Sequence, residues 1–481
     1  MWAGFDGDAV PGPLIDGIAR GRIGGLLLFA YRGNLRSREQ VRGMLREAAA
    51  AAGRAGLPPV PVGVDQEGGS VIRIGYGAVF PSAMAIGATG DPANAEHAAR
   101  AVALGLLADG IAMNHAPVCD VNVEPRNPVI GTRSFGDDPA AVARFCAAWV
   151  RGSERAGVAT SPKHFPGHGA TAYDTHHTTV DVVADRATLG ARDLVPFRAA
   201  IAAGASSVMT AHIRYAALDP ENIATLSPRI LGELLRVELG FGGLAVTDSL
   251  DMSGLTQVET PERVAARAVN AGIDAVMVTS GLDTQLEASE QLALGVPPAR
   301  LREAIVRATA FRERYGVDVP EAPFDDGPGR ALAREIAAAA ITHVGPALPA
   351  LGGPIRVVLF PPKRRSPVEE LAQLEAHFET ALRERLGPGL AFSTTGAPEG
   401  GGPLVVCTSS AFFDPEQAER ARALLFAGGI LCALRSPYDA TLVPNVPALL
   451  TYGDVPASLQ ALADVLAGRE RPRGTLPVRL G

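Results

Sequence analysis

The stretch Lys163-His164-Phe165-Pro166-Gly167-His168-Gly169-Ala170-Thr171-Ala172-Tyr173-Asp174-Thr175-His176-His177 holds four of the chain's nine histidines, with a lysine and an aspartate. A proline and two glycines between positions 166 and 169 exclude a continuous helix, so the stretch is predicted to be a loop. Apolar residues 157–159 precede it and turn polar at Thr160, which places the loop just past the end of a buried strand. Such strand ends are where α/β enzymes hold their chemistry.

Outward from this loop, short apolar runs alternate with longer helical stretches over about 315 residues. Eight runs are predicted to be strands: Met1–Phe5, Ile23–Phe29, Val60–Val64, Ile111–Val118, Val158–Thr160, Ser207–Ala211, Leu244–Thr247 and Ile273–Val278. Nearly every run ends in polar or ionisable residues, and only in a barrel do all these ends meet at one rim. The pattern therefore favours a (β/α)₈ TIM barrel over a doubly wound sheet.

A second alternating series follows a segment rich in proline and acidic residues, Gly316–Gly329. We predict a catalytic barrel over residues 1–315, a linker over 316–329 and a smaller three-layer α/β sandwich domain over 330–481. Apolar runs at Ile355–Phe360, Pro403–Cys407, Gly428–Leu434 and Ala448–Tyr452 are expected to form its sheet. Neither domain contains a glycine motif typical of nucleotide binding.

Composition favours small-molecule chemistry. The chain has 47% hydrophobic and 20% charged residues and a net charge of −7, which gives no electrostatic reason to bind nucleic acid or an anionic membrane. No apolar run is long enough to span a membrane, and the first residues lack the features of a signal peptide. We expect a cytoplasmic monomer, unless an export signal precedes the given start. The four widely spaced cysteines are expected to be reduced and buried.

The histidine loop allows two chemical interpretations. His164 and His168 are four residues apart, as in helical metal sites, but the intervening proline and glycine disfavour that reading, and no metal or cofactor is predicted. Asp174 and His176 can form a pair in which the carboxylate orients the imidazole and keeps part of it protonated. The alternative is a surface loop whose histidines cap turns.

Asp248 follows the seventh run directly. It could cap the next helix, which is the commoner role, or it could act as a carboxylate nucleophile held by a barrel strand. The nucleophile interpretation requires His176 to lie across the rim from it.

Two segments resemble the signatures of glycoside hydrolase family 3, and in particular its bacterial β-N-acetylglucosaminidase (NagZ-type) branch. They are Lys163–Gly169 with Asp174-Thr175-His176, and Val246-Thr247-Asp248-Ser249-Leu250-Asp251-Met252. Further stretches agree with the family: Gly63–Gly69, Ala116–Asn122, Gly131–Gly136, Arg435–Asp439 and Arg473–Val478. The resemblance thus covers essentially the whole chain.

The resemblance implies a retaining mechanism with Asp248 as the nucleophile that forms a glycosyl-enzyme, and His176, paired with Asp174, as the acid/base. It also implies that the N-acetylglucosamine unit is held by Asp65, Arg73, Arg133, Lys163 and His164. The sequence departs from the family at four positions, Ser70, His115, Thr175 and His177, of which the first two could alter the sugar subsite.

The expected activity is therefore that of an exo-acting β-N-acetylglucosaminidase on small carbohydrates, either muropeptides, as in peptidoglycan recycling, or chitin fragments. A phosphorylase that uses phosphate as acceptor is an alternative, because a histidine in place of a carboxylate repels an incoming phosphate less. A non-catalytic sugar-binding protein and a biosynthetic hydrolase of modified amino sugars are further alternatives.

Overall fold

The structure, a computed structural model, describes residues 1–172, 180–256, 259–364, 366, 369 and 374–480. Eight parallel strands form a barrel in the order β5-β4-β3-β2-β1-β11-β10-β7. They are β1 Trp2–Gly4, β2 Gly25–Leu27, β3 Val62–Val64, β4 Met113–Asn114, β5 Ala159–Thr160, β7 Ser207–Thr210, β10 Leu244–Ser249 and β11 Ala275–Val278. Hydrogen bonds from Phe165 N to Met209 O and from Ala211 N to Phe165 O join the two edges. The predicted barrel is confirmed. Each predicted run coincides with one strand, although β10 extends two residues past its run, to Ser249.

Helices surround the barrel strands. They are α1 Gly12–Ala19, α2 Arg38–Arg54, α3 Ala83–Ala88, α4 Pro92–Asp109, α5 Pro139–Ala156, α6 Arg186–Ala191, α7 Leu194–Ala202, α8 Ser253–Thr256, α9 Pro261–Ala271, α10 Leu282–Gly295 and α11 Pro298–Tyr315, with a π-helix over Arg229–Glu238. Local sequence sets the bounds of α4, because Asp91 caps its first turn, Pro92 opens it, and Gly110 ends it at a φ of 83°.

A small sheet lies beside the histidine loop. It contains β6 Val180–Val182, β8 Ile213–Tyr215 and β9 Asp219–Ile223, with β6 parallel and β9 antiparallel to β8. Val180 and Val182 are buried while Asp181 is exposed, and Asp181 pairs with Arg214 at 2.6 Å. The apolar-run pattern did not predict these strands, because their alternation is short and broken by charged residues.

A second sheet follows the barrel, in the order β12-β17-β16-β15-β13-β14. Its strands are β12 Thr342–Val344, β13 Ile355–Leu359, β14 Leu390–Ser393, β15 Leu404–Thr408, β16 Ile430–Ala433 and β17 Ala448–Leu450, and its helices are α12 Gly327–Ala340, α13 Leu374–Leu386, α14 Pro415–Leu425 and α15 Pro456–Leu466. Only β12 runs antiparallel, against β17. Each of the four predicted runs overlaps one strand, and β15 extends one residue past its run, to Thr408. The edge strands β12 and β14 were not predicted. Residues 316–326 form neither helix nor strand, and the exact domain boundaries stay a prediction.

The apolar interior of the barrel takes residues from successive strands, including Trp2, Met113 and Met277, together with Phe311 of α11. All four cysteines are buried, and Cys407 and Cys432 are neighbours in the second sheet. Within the described part of the chain, no helix combines the length and apolar character that a membrane span requires.

Hydrogen bonds join the C-terminal part of the chain to segments that follow barrel strands. The Ser82 hydroxyl donates a hydrogen bond to the Tyr452 carbonyl at 2.7 Å. The Asn122 amide donates to the Tyr438 hydroxyl at 3.0 Å. The second sheet thereby supports the segments that follow β3 and β4, both of which carry candidate site residues.

Candidate active site

A buried carboxylate, Asp120, organises the loop that follows β5. Its Oδ1 accepts hydrogen bonds from the backbone N–H groups of His164 and His168, at 3.2 and 2.6 Å. Its Oδ2 lies 2.7 Å from Nδ1 of His164. Because a carboxylate accepts but does not donate, Nδ1 carries the proton, and Nε2 faces the guanidinium of Arg133 at 3.5 Å. The ring of His164 is thus held in one orientation.

Four charged side chains form a network on one side of the rim. Lys163 Nζ lies 2.7 Å from Asp65 Oδ1 and 2.6 Å from Glu67 Oε1. Arg133 binds both oxygens of Glu67, with Nε and Nη2 each at 2.8 Å. Bidentate, charge-assisted pairs of this kind fix both direction and position.

The network changes the protonation of its members. Burial would raise the pKa of Glu67, but the charges of Arg133 and Lys163 outweigh it and lower this pKa to about 2. Burial likewise opposes the charged form of Asp65, yet Lys163 holds the pKa of that carboxyl well below its usual range. Burial would lower the pKa of Lys163, and the two carboxylates raise it instead. All four groups are therefore charged at neutral pH.

Asp248 lies on β10 at an irregularity of the strand. The pairing of β10 with β11 shifts register between Val246 and Ser249, so one extra residue of β10 is accommodated at Thr247–Asp248. A β-bulge re-aims the side chains it contains. Oδ1 of Asp248 accepts a hydrogen bond from the backbone N–H of Ser249 at 2.7 Å.

Two further side chains hold the end of β10 in place. Asp251 Oδ2 accepts from the Thr279 hydroxyl at 3.0 Å and from the Ser280 backbone N–H at 2.9 Å, and also from the Thr279 backbone N–H. His212 Nε2 donates to the carbonyl of Ser249 at 3.0 Å. These contacts tie the strand end that bears Asp248 to its neighbours on both sides.

A cavity of about 300 Å³ opens at the rim and collects the predicted residues. Its walls include six of the eight predicted site residues: Asp65, Arg73, Arg133, Lys163, His164 and Asp248. The floor is largely apolar and contains Leu27, Met209 and Met277. Arg73 lies over the ring of Tyr31 at 5.7 Å, which adds an aromatic edge to the opening.

The other two predicted site residues, Asp174 and His176, lie outside the described residues. The described chain before them ends at Ala172, next to Thr171, whose hydroxyl lies 2.9 Å from Nδ1 of His168. It resumes at Val180 in β6. The roles given to Asp174 and His176 therefore stay predictions.

Metal binding finds no support in the described part of the chain, where no three His, Cys, Asp or Glu side chains are grouped as metal ligands. The rings of His164 and His168 are 5.8 Å apart and nearly perpendicular. Burial, followed by the neighbouring His164, lowers the pKa of His168 to about 4.

Three residues of the site were not among the sequence predictions: Glu67, Asp120 and Asp251. All three belong to the polar ends of apolar runs, and each sits beside or within a stretch that resembles the family. Their position in the chain was therefore visible, but their role as partners of other side chains depends on contacts across the rim.

Comparison with known proteins places this geometry in a family. The model of the glycosyl hydrolase family 3 N-terminal domain matches residues 15–310. The chain belongs to glycosyl hydrolase family 3. This confirms the resemblance seen in the sequence and makes the chain a member of a family of glycoside hydrolases.

The relatives of this family 3 chain carry consistent names. It is 38% identical over 289 residues to β-hexosaminidase A of Pseudoalteromonas piscicida, a match that covers 56% of this chain and 48% of that protein. It is 41% identical over 274 residues to the β-hexosaminidase of Stenotrophomonas maltophilia, covering 55% of this chain and 78% of that one. The chain thus aligns with about half the length of the Pseudoalteromonas protein.

A solved structure extends the similarity beyond the barrel. The family 3 β-N-acetylglucosaminidase of a Paenibacillus species superposes with a TM-score of 0.91 at 33% identity, over 100% of this chain and 97% of that one. NagZ of Neisseria gonorrhoeae superposes with a TM-score of 0.60 at 26% identity and covers 71% of this chain and 97% of its own.

Proposed function

We propose that the chain is a retaining exo-β-N-acetylglucosaminidase that releases terminal, non-reducing β-linked N-acetylglucosamine from muropeptide or chitin fragments. The observation that carries the proposal is that Asp248 opens onto the same cavity as the five predicted sugar-binding side chains. The names of its relatives, β-hexosaminidases and a β-N-acetylglucosaminidase, support the same substrate class.

In the first step, a carboxylate oxygen of Asp248 attacks the anomeric carbon, and the bond from that carbon to the leaving oxygen breaks. The backbone N–H of Ser249, which binds Oδ1 of Asp248 at 2.7 Å, fixes the direction of the carboxylate. The bulge in β10 supports this role, because it turns one side chain out of the regular alternation of the strand.

Proton transfer is assigned to His176. Protonated His176 gives its proton to the leaving oxygen and becomes neutral, and it then takes a proton from the water that attacks the glycosyl-enzyme. This second attack releases the sugar and regenerates the Asp248 carboxylate. Asp174 orients the imidazole and favours its protonated form.

Sugar binding is assigned to the charged network. A carboxylate and a cation side by side can bracket neighbouring ring hydroxyls, as Asp65 and Lys163 would at their separation of 2.7 Å. The cavity of about 300 Å³ lies at the lower end of the range for small-molecule pockets, which fits a single sugar unit and hence exo action.

Product analysis tests the reaction class. The purified protein is incubated with an aryl 2-acetamido-2-deoxy-β-glucoside with and without ~50 mM phosphate, and the sugar products are separated. We expect free N-acetylglucosamine of β configuration as the first product in both cases. A phosphate-dependent sugar 1-phosphate would indicate a phosphorylase instead, and cleavage of the plain glucoside alone would overturn the N-acetyl assignment.

Replacement of the nucleophile tests the mechanism. We expect Asp248→Ala to retain less than ~10⁻³ of the wild-type kcat. Asp283→Ala, the same change at an exposed carboxylate in the first turn of α10, serves as the matched control. Near-normal turnover by Asp248→Ala would refute the covalent mechanism. The values of kcat/KM for muropeptide and chitin-fragment substrates can then be compared directly.

Cytoplasmic location and a monomeric state stay predictions.

A further inference from the structure

An exposed tyrosine, Tyr31, lies at the opening of the cavity and has no part in the mechanism above. It belongs to a single turn of 3₁₀-helix, Ala30–Arg32, in the segment that follows β2. Its side chain lines the cavity, yet the residue is 56% exposed. The ring can therefore be reached from the cavity mouth by a bound molecule.

Exposure of a large aromatic side chain is uncommon in this protein. Among the described residues, only Tyr31 and Phe426 combine an aromatic ring with high exposure. Phe426 lies at the end of α14 and is not part of the cavity wall. Isolated exposed apolar residues are normal on a protein surface, so exposure alone assigns no role to either residue. What distinguishes Tyr31 is its place at the cavity and the way it is held there.

The turn that carries Tyr31 is fixed by the buried side chain of Asn34. Nδ2 of Asn34 donates to the carbonyls of Phe5 and Gly7, at 3.1 and 2.7 Å. Its Oδ1 accepts from the backbone N–H of Phe29 at 3.0 Å. The turn is thus tied to the segment that follows β1. A ring on an ordered turn loses less conformational freedom when a ligand binds, which favours binding.

Two arginines and a phenylalanine set the position of the ring itself. The guanidinium carbons of Arg73 and Arg32 lie 5.7 and 5.9 Å from the centre of the Tyr31 ring, within the range of cation–π attraction. The ring of Phe29 lies 5.3 Å away at an angle of 41°. With these neighbours in place more than half of Tyr31 remains exposed, so a large part of its ring surface is free.

A position at the mouth suits the leaving group rather than the terminal sugar. The cavity of about 300 Å³ fits one sugar unit, which the charged network on the other side of the rim holds. The rest of the substrate must then project through the opening, where Tyr31 lies. A pyranose ring presents C–H groups on its faces, and these pack well on the electron-rich face of an aromatic ring.

We propose that Tyr31 is a specificity-determining residue that stacks against the sugar ring of the leaving group. The protein should therefore prefer substrates in which the terminal N-acetylglucosamine is attached to a second sugar. The inference rests on the glycosidase function given above, and it adds a contact on the leaving-group side of the bond that is cleaved.

The test combines variants of Tyr31 with two substrates. Tyr31→Ala removes the ring, and Tyr31→Phe keeps the ring and removes only the hydroxyl. The values of kcat/KM are measured for N,N′-diacetylchitobiose, whose leaving group is a sugar, and for methyl 2-acetamido-2-deoxy-β-glucoside, whose leaving group is methanol. For Tyr31→Ala, we expect the loss on the disaccharide to exceed the loss on the methyl glycoside by about tenfold, because a stacked sugar ring withdraws apolar surface from water.

The excess loss should appear mainly in KM, because the stacking contact exists both before and during bond cleavage. Tyr31→Phe should recover most of it. Phe426→Ala is the matched control, since it removes an exposed aromatic ring outside the cavity, and it should keep the wild-type ratio of the two kcat/KM values. Melting temperatures verify that the variants are folded, as expected for changes at exposed side chains.

The comparison of substrates separates stacking from an indirect effect through Arg73. A displaced Arg73 would disturb the terminal sugar, which the two substrates share, and would lower both kcat/KM values by the same factor. Equal losses on the two substrates, no loss on either, or failure of Tyr31→Phe to recover the excess loss would overturn the role of Tyr31.

The two proposals fail separately. If the wild-type protein cleaves neither glycoside, the proposed function is wrong. If the wild-type protein cleaves them and Tyr31→Ala changes both kcat/KM values by the same factor, the proposed function stands and the inference about Tyr31 is wrong.

Discussion

The substitution Glu67→Gln tests whether the charged network supports the site. Glu67 is 6% exposed, and both of its oxygens accept from Arg133, while Oε1 also lies 2.6 Å from Lys163. Glutamine keeps the shape of the Glu67 side chain but replaces one carboxylate oxygen with an NH₂ group, which then faces an N–H donor of Arg133 or Lys163. It also leaves Arg133 and Lys163 with one carboxylate fewer.

The expected loss of stability follows from the burial of this network. Removal of one partner from a buried ion pair costs ~3–5 kcal/mol, because a charge is left without compensation. For a chain of this size the melting temperature should fall by about 3–5 °C. Since Lys163 and Arg133 would lose their fixed positions in the cavity wall, kcat/KM should also fall by about 10- to 100-fold.

Glu96 provides the matched control. Its carboxylate contacts two arginines as well, Arg151 at 3.0 Å and Arg155 at 2.9 Å, but all three side chains are at least partly exposed. Surface ion pairs contribute up to ~1 kcal/mol, so Glu96→Gln should change stability little. Urea unfolding of both variants and of the wild type is the assay. Equal losses in the two variants would refute the reasoning.

The dependence on pH gives a second check. The pKa of Glu67 is lowered to about 2 in the folded protein, whereas an unfolded glutamate titrates near ~4.3. The stabilisation is therefore fully present above ~4.3 and is lost as the pH falls through about 2. The difference between wild type and Glu67→Gln should shrink across this window.

Two other carboxylates give shorter tests. Burial, only partly offset by Arg192, raises the pKa of Asp193 to about 6. The folded state therefore keeps a proton that the unfolded chain releases, and the free energy of unfolding of the wild type should fall by about 2–3 kcal/mol between pH ~4 and ~6. Asp193→Asn should remove this pH dependence. Urea unfolding at the two pH values is the measurement. Asp120→Asn places an N–H group opposite the donors that bind this carboxylate, which are the backbone N–H groups of His164 and His168 and Nδ1 of His164. We expect kcat/KM for the aryl 2-acetamido-2-deoxy-β-glucoside to decrease by about 10- to 100-fold at constant pH.

The barrel could be predicted because its signals are local. Each strand is a short apolar run that ends in polar residues, and parallel strands of a barrel bring those ends to one rim. The pattern identified Asp65, Lys163 and Asp248 as polar strand ends, and the resemblance to the family added their roles. The structure brings all three to one cavity. Helix bounds were equally local, as the Asp91-Pro92 start and the Gly110 end of α4 illustrate.

Other features depend on contacts that a linear pattern does not contain. The bulge at Thr247–Asp248 exists because β10 and β11 are paired with an offset, and neither strand alone shows it. Glu67 was visible only as one acid in a polar cluster, and its partners lie far along the chain at Lys163 and Arg133. His115 was noted as a departure from the family, but its lack of a partner is a property of the packed floor.

The contacts between the barrel and the C-terminal part of the chain affect the order in which the protein folds during translation. Backbone N–H groups of Thr475 and Arg479 donate to the carbonyl of Ala88 and to the carboxylate of Asp137, both at 2.8 Å. Tyr438 and Tyr452 receive the bonds that support the segments after β4 and β3. Because these residues leave the ribosome after the whole barrel, a nascent barrel lacks this support. The rim should reach its final order only once the C-terminal residues have docked.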